Sequence, residues 1–207
     1  MVTVYHLSNS RSERVIWLME ELQEPYEIVR FKREDDMAAP ATLREIHPLG
    51  KSPIIRDDDL VLAESGAIVQ YLCEKYGKLI PQRGTRDYAN YLHWLHFAEG
   101  SAMGQFILEM ATSGRLGGEP MSNAERFAQR TRLYLKYIEA TLANNTYIAG
   151  QELTGADIVM MSCAGWIDRV PDKDLYPNIA AYRHRIGERP AYQKGMAIAN
   201  PPASGAV

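Results

Sequence analysis

The chain contains the segment His47-Pro48-Leu49-Gly50-Lys51-Ser52-Pro53-Ile54-Ile55, in which a turn leads directly into a predicted strand. Pro53 stands at the start of that strand, where a residue without a backbone N–H is tolerated. A cis bond before Pro53 would bend the chain sharply and open the backbone N–H and C=O of Ser52 to a ligand lying alongside. The segment therefore predicts a binding edge for an extended, peptide-like molecule.

A second segment, Leu62-Ala63-Glu64-Ser65-Gly66-Ala67-Ile68, follows one hairpin later and opens a helix. Glu64 can pair with a ligand ammonium group, while the Ser65 hydroxyl and the first N–H groups of the helix can hold a carboxylate. A plain helix cap with a favourably placed acid is the alternative. The position of this pair favours binding of an α-amino acid group. Lys51 either faces solvent in the turn or meets a second ligand carboxylate.

The composition is that of a globular protein and excludes several function classes. The 207 residues are 46% hydrophobic and 24% charged, and a net charge of -3 predicts neither nucleic acid nor an anionic membrane surface as a partner. No apolar run approaches the roughly 20 residues that span a bilayer. Met1 leads directly into a predicted strand and not into a signal peptide. Cys73 and Cys163 are far apart within apolar helical patterns, which predicts buried free thiols and a reducing cytoplasm.

The first 80 residues alternate between strand and helix patterns and predict a small α/β domain. Apolar spacing and turn residues give the order βαβ, then a short helix or turn, then ββα. The right-handed crossover makes the first two strands parallel. Strands are predicted at 3–7, 26–31, 52–56 and 60–63, helices at 12–22 and 65–76, and the short helix or turn at 40–45.

A Pro- and Gly-containing linker at 81–86 separates this domain, 1–80, from an all-helical domain, 87–200, and residues 201–207 are predicted to be a flexible tail. Two capping boxes mark helix starts, one at Ser122-Asn123-Ala124-Glu125 and one at Thr154-Gly155-Ala156-Asp157. Helices are predicted at 87–110, from the first box toward 143, from the second box toward 171, and at 178–188 as the last one.

Ser10 is the strongest candidate for chemistry within the turn between the first strand and the first helix. A hydroxyl near a helix N-terminus can donate a hydrogen bond to an anionic sulfur and lower the pKa of a bound thiol. The alternative is that Ser10 and its polar neighbours only form the turn and cap the helix. Tyr5 offers a rival hydroxyl, but a structural role is commoner for a tyrosine inside a strand.

The helical half offers two further groups of side chains. His93 and His96 are three residues apart and could bind a metal, but no third ligand is evident, so the pattern favours aromatic packing and no metal site. Four large apolar residues are predicted to line part of an apolar pocket between the domains, although the sequence does not separate pocket from core. These four are Met103, Phe106, Met110 and Trp166.

The chain resembles the cytosolic glutathione transferases over nearly its whole length, to about Tyr192. The resemblance rests on Pro48-Leu49-Gly50-Lys51-Ser52-Pro53, Glu64-Ser65-Gly66-Ala67-Ile68 and Thr154-Gly155-Ala156-Asp157, which occur in the family's order. It implies a thioredoxin-like N-terminal domain followed by an all-helical C-terminal domain. Ser10-Arg11-Ser12-Glu13-Arg14 resembles a branch found in bacteria and yeast.

The family implies roles for the N-terminal residues. Ser10 matches the activating serine of serine-type members, with Asn9 as the reserve choice because related groups use an asparagine near this place. Tyr5 is out of register with the tyrosine-type pattern. No cysteine occurs between Ser8 and Ser12, so a cysteine-type, disulfide-exchanging member is not expected.

The remaining glutathione contacts are likewise carried over from the family. Ser52 is expected to present its backbone to the cysteinyl unit, and Pro53 to be the cis residue. Glu64 and Ser65 are expected to hold the γ-glutamyl amine and carboxylate, and Lys51 the glycyl end.

The implied activity is conjugation of the glutathione thiolate to hydrophobic electrophiles by a cytoplasmic homodimer. Glutathione is then a co-substrate, and no cofactor is required. Two alternatives remain open on the same scaffold. One is glutathione-dependent reduction of peroxides or disulfides, and the other is a non-catalytic binding or regulatory protein, because a fold does not fix a function.

Overall fold

A four-stranded mixed sheet forms within residues 1–79 of the computed structural model, which describes residues 1–201 of the chain. Its strands are β1 (Val2–Leu7), β2 (Tyr26–Phe31), β3 (Ile54–Asp57) and β4 (Leu60–Ala63), in the order β2-β1-β3-β4. β1 pairs in parallel with β2 and antiparallel with β3, which pairs antiparallel with β4. The predicted thioredoxin-like arrangement is therefore confirmed. Of the predicted flexible tail, 202–207 lie outside the described residues.

Two helices and one short turn complete this sheet domain where the sequence predicts them. α1 spans Glu13–Leu22, α2 spans Ser65–Tyr76, and a 3₁₀ turn spans Ala41–Glu45. The apolar stripe of α1 is buried, as are the sheet residues Val2 and Val4. α2 ends where Gly77 adopts φ 63°, a left-handed conformation that glycine enters without a Cβ penalty.

The sequence prediction misses the final helix, α8 (Pro190–Ala199). Pro190 was expected to follow the last helix, yet it stands in the first turn of a new one, where a missing N–H costs nothing. α8 packs closely on α1, because a Cβ added at Gly195 would lie 2.7 Å from the Trp17 Cα. By its contacts the segment 187–200 belongs with residues 1–79, whereas the predicted boundaries place it in the helical domain.

Every helix or strand assigned in the second compact unit, Ile80–Ile186, is a helix, so this unit contains no strand element. The predicted helix at 87–110 is present, but a seven-residue π-helical segment, Phe97–Met103, lies in its middle. The local sequence shows no pattern that predicts a π-helical segment. The helices are α3 (Arg86–His96), α4 (Gly104–Thr112), α5 (Ala124–Leu142), α6 (Gly155–Ala164) and α7 (Pro177–Gly187).

One of the two predicted capping boxes forms and the other does not. Asp157 accepts hydrogen bonds from the Thr154 backbone N–H at 2.8 Å and the Thr154 hydroxyl at 3.1 Å, and the reciprocal box is complete. The box predicted at Ser122 is wrong. Asn123 itself takes the N-cap position, so α5 begins at Ala124 without a side-chain cap hydrogen bond.

His93 takes part in aromatic packing. Its ring lies edge-on to Trp94 and stacks on Phe97, with centroids 5.1 and 6.1 Å away, and its Nε2 lies 3.0 Å from the Tyr137 hydroxyl. Over residues 1–201, no cluster of three or more potential metal ligands is found. No helix in that range has the length and apolarity that crossing a membrane requires. Both cysteines are buried and neither forms a disulfide, as predicted.

A buried carboxylate at the end of β3 gives a pH-dependent prediction. Asp57 accepts hydrogen bonds from Lys75 and from the Tyr71 hydroxyl, the latter at 2.6 Å. The Lys75 bond, followed by the Tyr71 bond, lowers the pKa of Asp57. The stability from this group is therefore present above the ordinary aspartate pKa, about 4, and is lost as pH falls through the lowered value.

We expect Asp57→Asn to lower the melting temperature at neutral pH, and the gap to wild type to close as pH falls below about 4. Thermal unfolding of both proteins across the acid range measures this gap. Asp59→Asn, in the exposed turn before β4, is the matched control and should change little at any pH. A gap that stays constant with pH would contradict the prediction.

Candidate functional site

Three segments meet at the carboxyl end of β1. β3 begins there because Ile54 pairs with Tyr5, and β4 ends there because Ala63 pairs with Ile54. Pro53 and Glu64 are the next residues beyond that pairing, and the turn that follows β1 leaves the sheet at the same end. The sheet register therefore gathers most of the sequence-predicted residues at one edge.

Ser10 and Ser52 are in direct contact at this edge. The Ser10 hydroxyl lies 3.2 Å from the Ser52 hydroxyl, and Ser52 Oγ lies 3.3 Å from the Tyr5 carbonyl oxygen. Both serines are half-buried. The Ser52–Pro53 peptide bond is cis, as predicted, and Pro53 is buried.

Arg33 holds the turn that carries Ser10. Its guanidinium donates to the carbonyl oxygens of Ser8, Asn9 and Met37 at 2.9, 2.8 and 2.7 Å. Asn9 is exposed and adopts φ 52°, a conformation that asparagine tolerates better than most residues. Sequence reasoning missed this role of Arg33. The available signal was its place just after β2, since parallel neighbouring strands end at the same edge.

Ser10 is also connected to the protein interior. Its Oγ lies 2.8 Å from Ser12 Oγ, and Ser12 Oγ lies 2.8 Å from His6 Nδ1. Both Ser12 and His6 are buried, and His6 Nε2 lies 3.0 Å from the carbonyl oxygen of Ala199. Burial lowers the pKa of His6, the hydrogen bond with Ala199 offsets part of this effect, and Arg30 adds to it. Neither His6 nor Ser12 was predicted to belong to the site.

Glu64 and Ser65 stand at the start of α2. Glu64 is exposed with φ 72°, which is uncommon for a glutamate, and its carbonyl accepts the Ile68 N–H at 2.9 Å. Ser65, the first residue of the helix, is buried. Lys51 is exposed, one residue before Ser52. Chemically, this edge offers hydroxyl donors, an exposed carboxylate and a helix N-terminus within one neighbourhood, which suits a zwitterionic ligand.

The four residues predicted for an apolar pocket all lie in the second unit. Phe106 and Trp166 stack with centroids 4.9 Å apart, and both are buried. Trp166 Nε1 donates to the buried carboxylate of Glu109 at 3.3 Å. Met103 and Met110 are half-buried. The two aromatic rings thus form part of this unit's core, while a pocket at the four residues stays a prediction.

Two family models match the chain. The N-terminal domain of glutathione S-transferases matches residues 10–75, and the C-terminal domain matches residues 117–190. The first match contains Ser10, Ser52 and Glu64, and the second contains the Thr154 capping box. Together the two matches cover more than half of the chain.

Individual relatives agree with this assignment. Glutathione S-transferase 3 of Schizosaccharomyces pombe is 35% identical over 207 residues, which cover 92% of this chain and 85% of the relative. A glutathione S-transferase crystal structure from Actinobacillus pleuropneumoniae is 35% identical with a TM-score of 0.87, covering 96% of this chain and 93% of its own. A transferase homologue from Lodderomyces elongisporus, solved with two glutathione molecules per subunit, shares the fold at 22% identity, with a TM-score of 0.82 and coverage of 97% and 99%. The chain belongs to the glutathione S-transferase family.

Proposed function

We propose that this protein activates the thiol of glutathione and transfers the resulting thiolate to hydrophobic electrophiles. The observation that carries the proposal is the contact between the Ser10 and Ser52 hydroxyls beside the cis bond of Pro53. This contact brings a hydroxyl donor at a helix N-terminus next to the backbone that would bind an extended peptide.

Glutathione lies along the edge formed by Ser52 and Pro53 in this proposal. The backbone of Ser52 binds the cysteinyl unit, because β3 begins only at Ile54 and leaves that backbone outside the sheet ladder. Glu64 pairs with the γ-glutamyl ammonium group, and Ser65 with the first N–H groups of α2 holds its carboxylate. Lys51 meets the glycyl carboxylate. The sheet register supports this assignment, since Pro53 directly precedes Ile54 and Glu64 directly follows Ala63, and these two residues pair at the end of the ladder.

Ser10 donates a hydrogen bond to the sulfur and stabilises the thiolate. A pKa depression of two units requires about 2.7 kcal/mol of preferential stabilisation. A charge-assisted hydrogen bond together with a helix N-terminus can supply this amount. Asn9 is the reserve candidate, but it is exposed, whereas Ser10 is half-buried against Ser52, which favours Ser10.

The electrophile is hydrophobic in this proposal, because the residues assigned to its pocket are Met103, Phe106, Met110 and Trp166. The protein acts as a homodimer in a reducing cytoplasm, with glutathione as co-substrate and no cofactor. Membership in the family supports the dimer, and two buried cysteines without a disulfide are compatible with the compartment.

Glutathione binding by calorimetry and conjugation of a halodinitrobenzene test the proposal. We expect wild type to bind and to conjugate. Glu64→Gln should raise the KM for glutathione about tenfold with little change in kcat, because it removes a charged partner used equally in the ground and transition states. Glu27→Gln makes the same exchange of a carboxylate for an amide at an exposed position on β2. It is the matched control and should behave as wild type.

Turnover of an organic hydroperoxide on the same preparation separates the proposal from its alternatives. Faster hydroperoxide reduction than conjugation would replace the transferase assignment with a glutathione peroxidase. Binding without turnover of either substrate class would indicate a non-catalytic protein. Absence of glutathione binding would overturn the site itself.

A further inference from the structure

An unbroken chain of hydrogen-bonding groups connects the proposed sulfur site to the end of α8. Every link lies within the sheet-containing unit. The chain begins and ends at a backbone carbonyl group, with four side chains between them. In order, its members are the Ala199 carbonyl, His6, Ser12, Ser10, Ser52 and the Tyr5 carbonyl.

This hydrogen-bonded series has one hydrogen fewer than its contacts need when His6 is neutral. Both terminal carbonyls only accept, so each of the five contacts needs a hydrogen from one of the four side chains. Three hydroxyls and a neutral imidazole supply four hydrogens. A fifth hydrogen, carried by an imidazolium at His6, would satisfy every contact. The arrangement therefore has room for one additional proton.

The Ala199 carbonyl determines which group donates in each hydrogen bond from His6 to Ser10. His6 Nε2 lies 3.0 Å from that acceptor, so Nε2 carries the hydrogen and Nδ1 of a neutral ring accepts. Ser12 consequently donates to His6 Nδ1 at 2.8 Å, which is shorter than its alternative acceptor, the Leu7 carbonyl at 3.3 Å. The hydrogen of Ser12 is then committed. The Ser10 hydrogen then makes the 2.8 Å contact with Ser12 in preference to its longer contact with Ser52 at 3.2 Å, and the Ser10–Ser52 contact is the one left without a hydrogen.

In this resting arrangement the Ser10 oxygen is an acceptor toward a bound ligand. A glutathione S–H beside it finds a hydroxyl that already donates to Ser12, which already donates to His6. Building on the sulfur position of the proposed function, we propose that the thiol proton passes through the hydroxyls of Ser10 and Ser12 to Nδ1 of His6.

The transfer balances with no outside reagent. The S–H bond breaks and its electron pair stays on sulfur, while Ser10 Oγ gains that proton and passes its own to Ser12 Oγ. Ser12 passes its original proton to His6 Nδ1, which becomes an imidazolium. Afterwards His6 donates to Ser12, Ser12 donates to Ser10, and Ser10 donates to the thiolate. The hydroxyl that accepted the thiol proton thereby becomes the donor that stabilises the sulfur.

Charged groups around His6 set its resting state. Arg30 on β2 donates to the carbonyl oxygens of Ile198 and Ala199 at 2.5 and 3.4 Å, and its charge disfavours an imidazolium. Glu13, at the start of α1, is hydrogen-bonded to the Asn200 side chain. Burial, the largest effect, lowers the pKa of His6 and so favours the neutral ring before the ligand arrives. The developing thiolate is the charge that favours proton uptake, so the transfer is coupled to glutathione binding.

The number of protons released on glutathione binding tests this proton relay from the thiol through Ser10 and Ser12 to His6. Calorimetry in two buffers of different ionisation enthalpy gives the protons released, and ultraviolet difference absorbance gives the thiolate formed. We expect wild type to form the thiolate while releasing less than about half a proton per thiolate near pH 7. Proton loss to solvent would instead release one proton per thiolate.

Two His6 variants separate proton uptake from positioning. In His6→Asn the amide oxygen can replace Nδ1 as the acceptor from Ser12, but it cannot take up a proton. In His6→Gln the amide can reach the Ala199 carbonyl and leaves Ser12 without that acceptor. We expect both variants to release a full proton per thiolate and to lose about tenfold in kcat/KM. Ser8→Ala, in the same turn but outside the relay, should match wild type.

Each outcome bears on the relay or on the function beneath it. One proton released per thiolate by wild type overturns the relay and leaves the proposed function intact, and this measurement does not depend on whether a variant folds. Wild-type stoichiometry and rate in His6→Asn also overturn the relay. Failure of wild type to form any thiolate overturns the proposed function together with the relay.

Discussion

Ser10→Ala is expected to lower kcat for conjugation about 50-fold at pH 6.5 while changing the KM for glutathione little. A free thiol with a pKa near 8.5 is only about 1% ionised at that pH. A depression of two units makes about half of it thiolate, and removal of the donor hydroxyl reverses that gain. The KM should hardly move, because Glu64, Ser65 and the Ser52 backbone supply most of the binding in the proposed site.

The pH profile of kcat distinguishes loss of a donor from a disturbed fold. With Ser10 in place, kcat should level off above about pH 6.5, whereas in Ser10→Ala it should go on rising toward about pH 8.5. The deficit should therefore shrink as pH increases. A deficit that stays constant with pH would show that Ser10 supports the structure and does not ionise the thiol.

Asn9→Gly is the matched comparison for Ser10→Ala. It removes the rival amide while glycine keeps the positive φ of residue 9 at no steric cost. We expect this variant to retain near wild-type kcat. If Asn9→Gly loses activity and Ser10→Ala does not, Asn9 is the residue that faces the sulfur.

Much of the sheet domain was predictable because local residues mark its boundaries. β2 and α2 have the predicted bounds, and Gly77 ends α2 as predicted. A polar turn likewise separates β3 from β4. The local sequence predicts a turn and a strand-opening proline at Pro53, while the cis form of its bond is what the family resemblance implies, because most X–Pro bonds are trans. Such signals act over a few residues and need no knowledge of the tertiary structure.

The misses arise where tertiary contacts override or replace local signals. Pro190 fits the end of one helix and the start of another equally well, and the close packing of Gly195 on Trp17 accompanies the second choice. At Ser122 the capping-box spacing is present, but Asn123 takes the cap instead. Spacing alone does not specify which of two adjacent residues occupies the N-cap position.

The residues of the candidate site likewise fall into two groups, those that local motifs predict and those that only tertiary contacts reveal. Ser10, Ser52, Pro53 and Glu64 could be proposed from short motifs, and the sheet register brings them to one edge. His6 could not, because its partner Ala199 is 193 residues away in a helix that the sequence analysis missed. A histidine inside a buried strand resembles ordinary core until its partner is known.

Asp157→Ala is expected to lower the free energy of unfolding by about 4 kcal/mol. Asp157 is fully buried and accepts four hydrogen bonds. Its donors are the backbone N–H groups of Ile148 and Thr154, both at 2.8 Å, the Tyr182 hydroxyl at 2.9 Å and the Thr154 hydroxyl at 3.1 Å. Alanine leaves all four without this acceptor in the interior, where water cannot replace it. A loss of this size is a large part of the stability of an ordinary domain.

Urea unfolding of Asp157→Ala beside Asp168→Ala measures how much burial contributes to this loss. Asp168 also has a close two-point contact, with Arg183 at 2.7 and 3.0 Å, but it is exposed. Exposed ion pairs contribute about 1 kcal/mol or less, so the control should unfold close to wild type. Equal losses in the two variants would show that the burial of Asp157 and its two additional hydrogen bonds add nothing to its contribution to stability. A loss below about 1 kcal/mol in Asp157→Ala would mean that the start of α6 does not depend on this carboxylate.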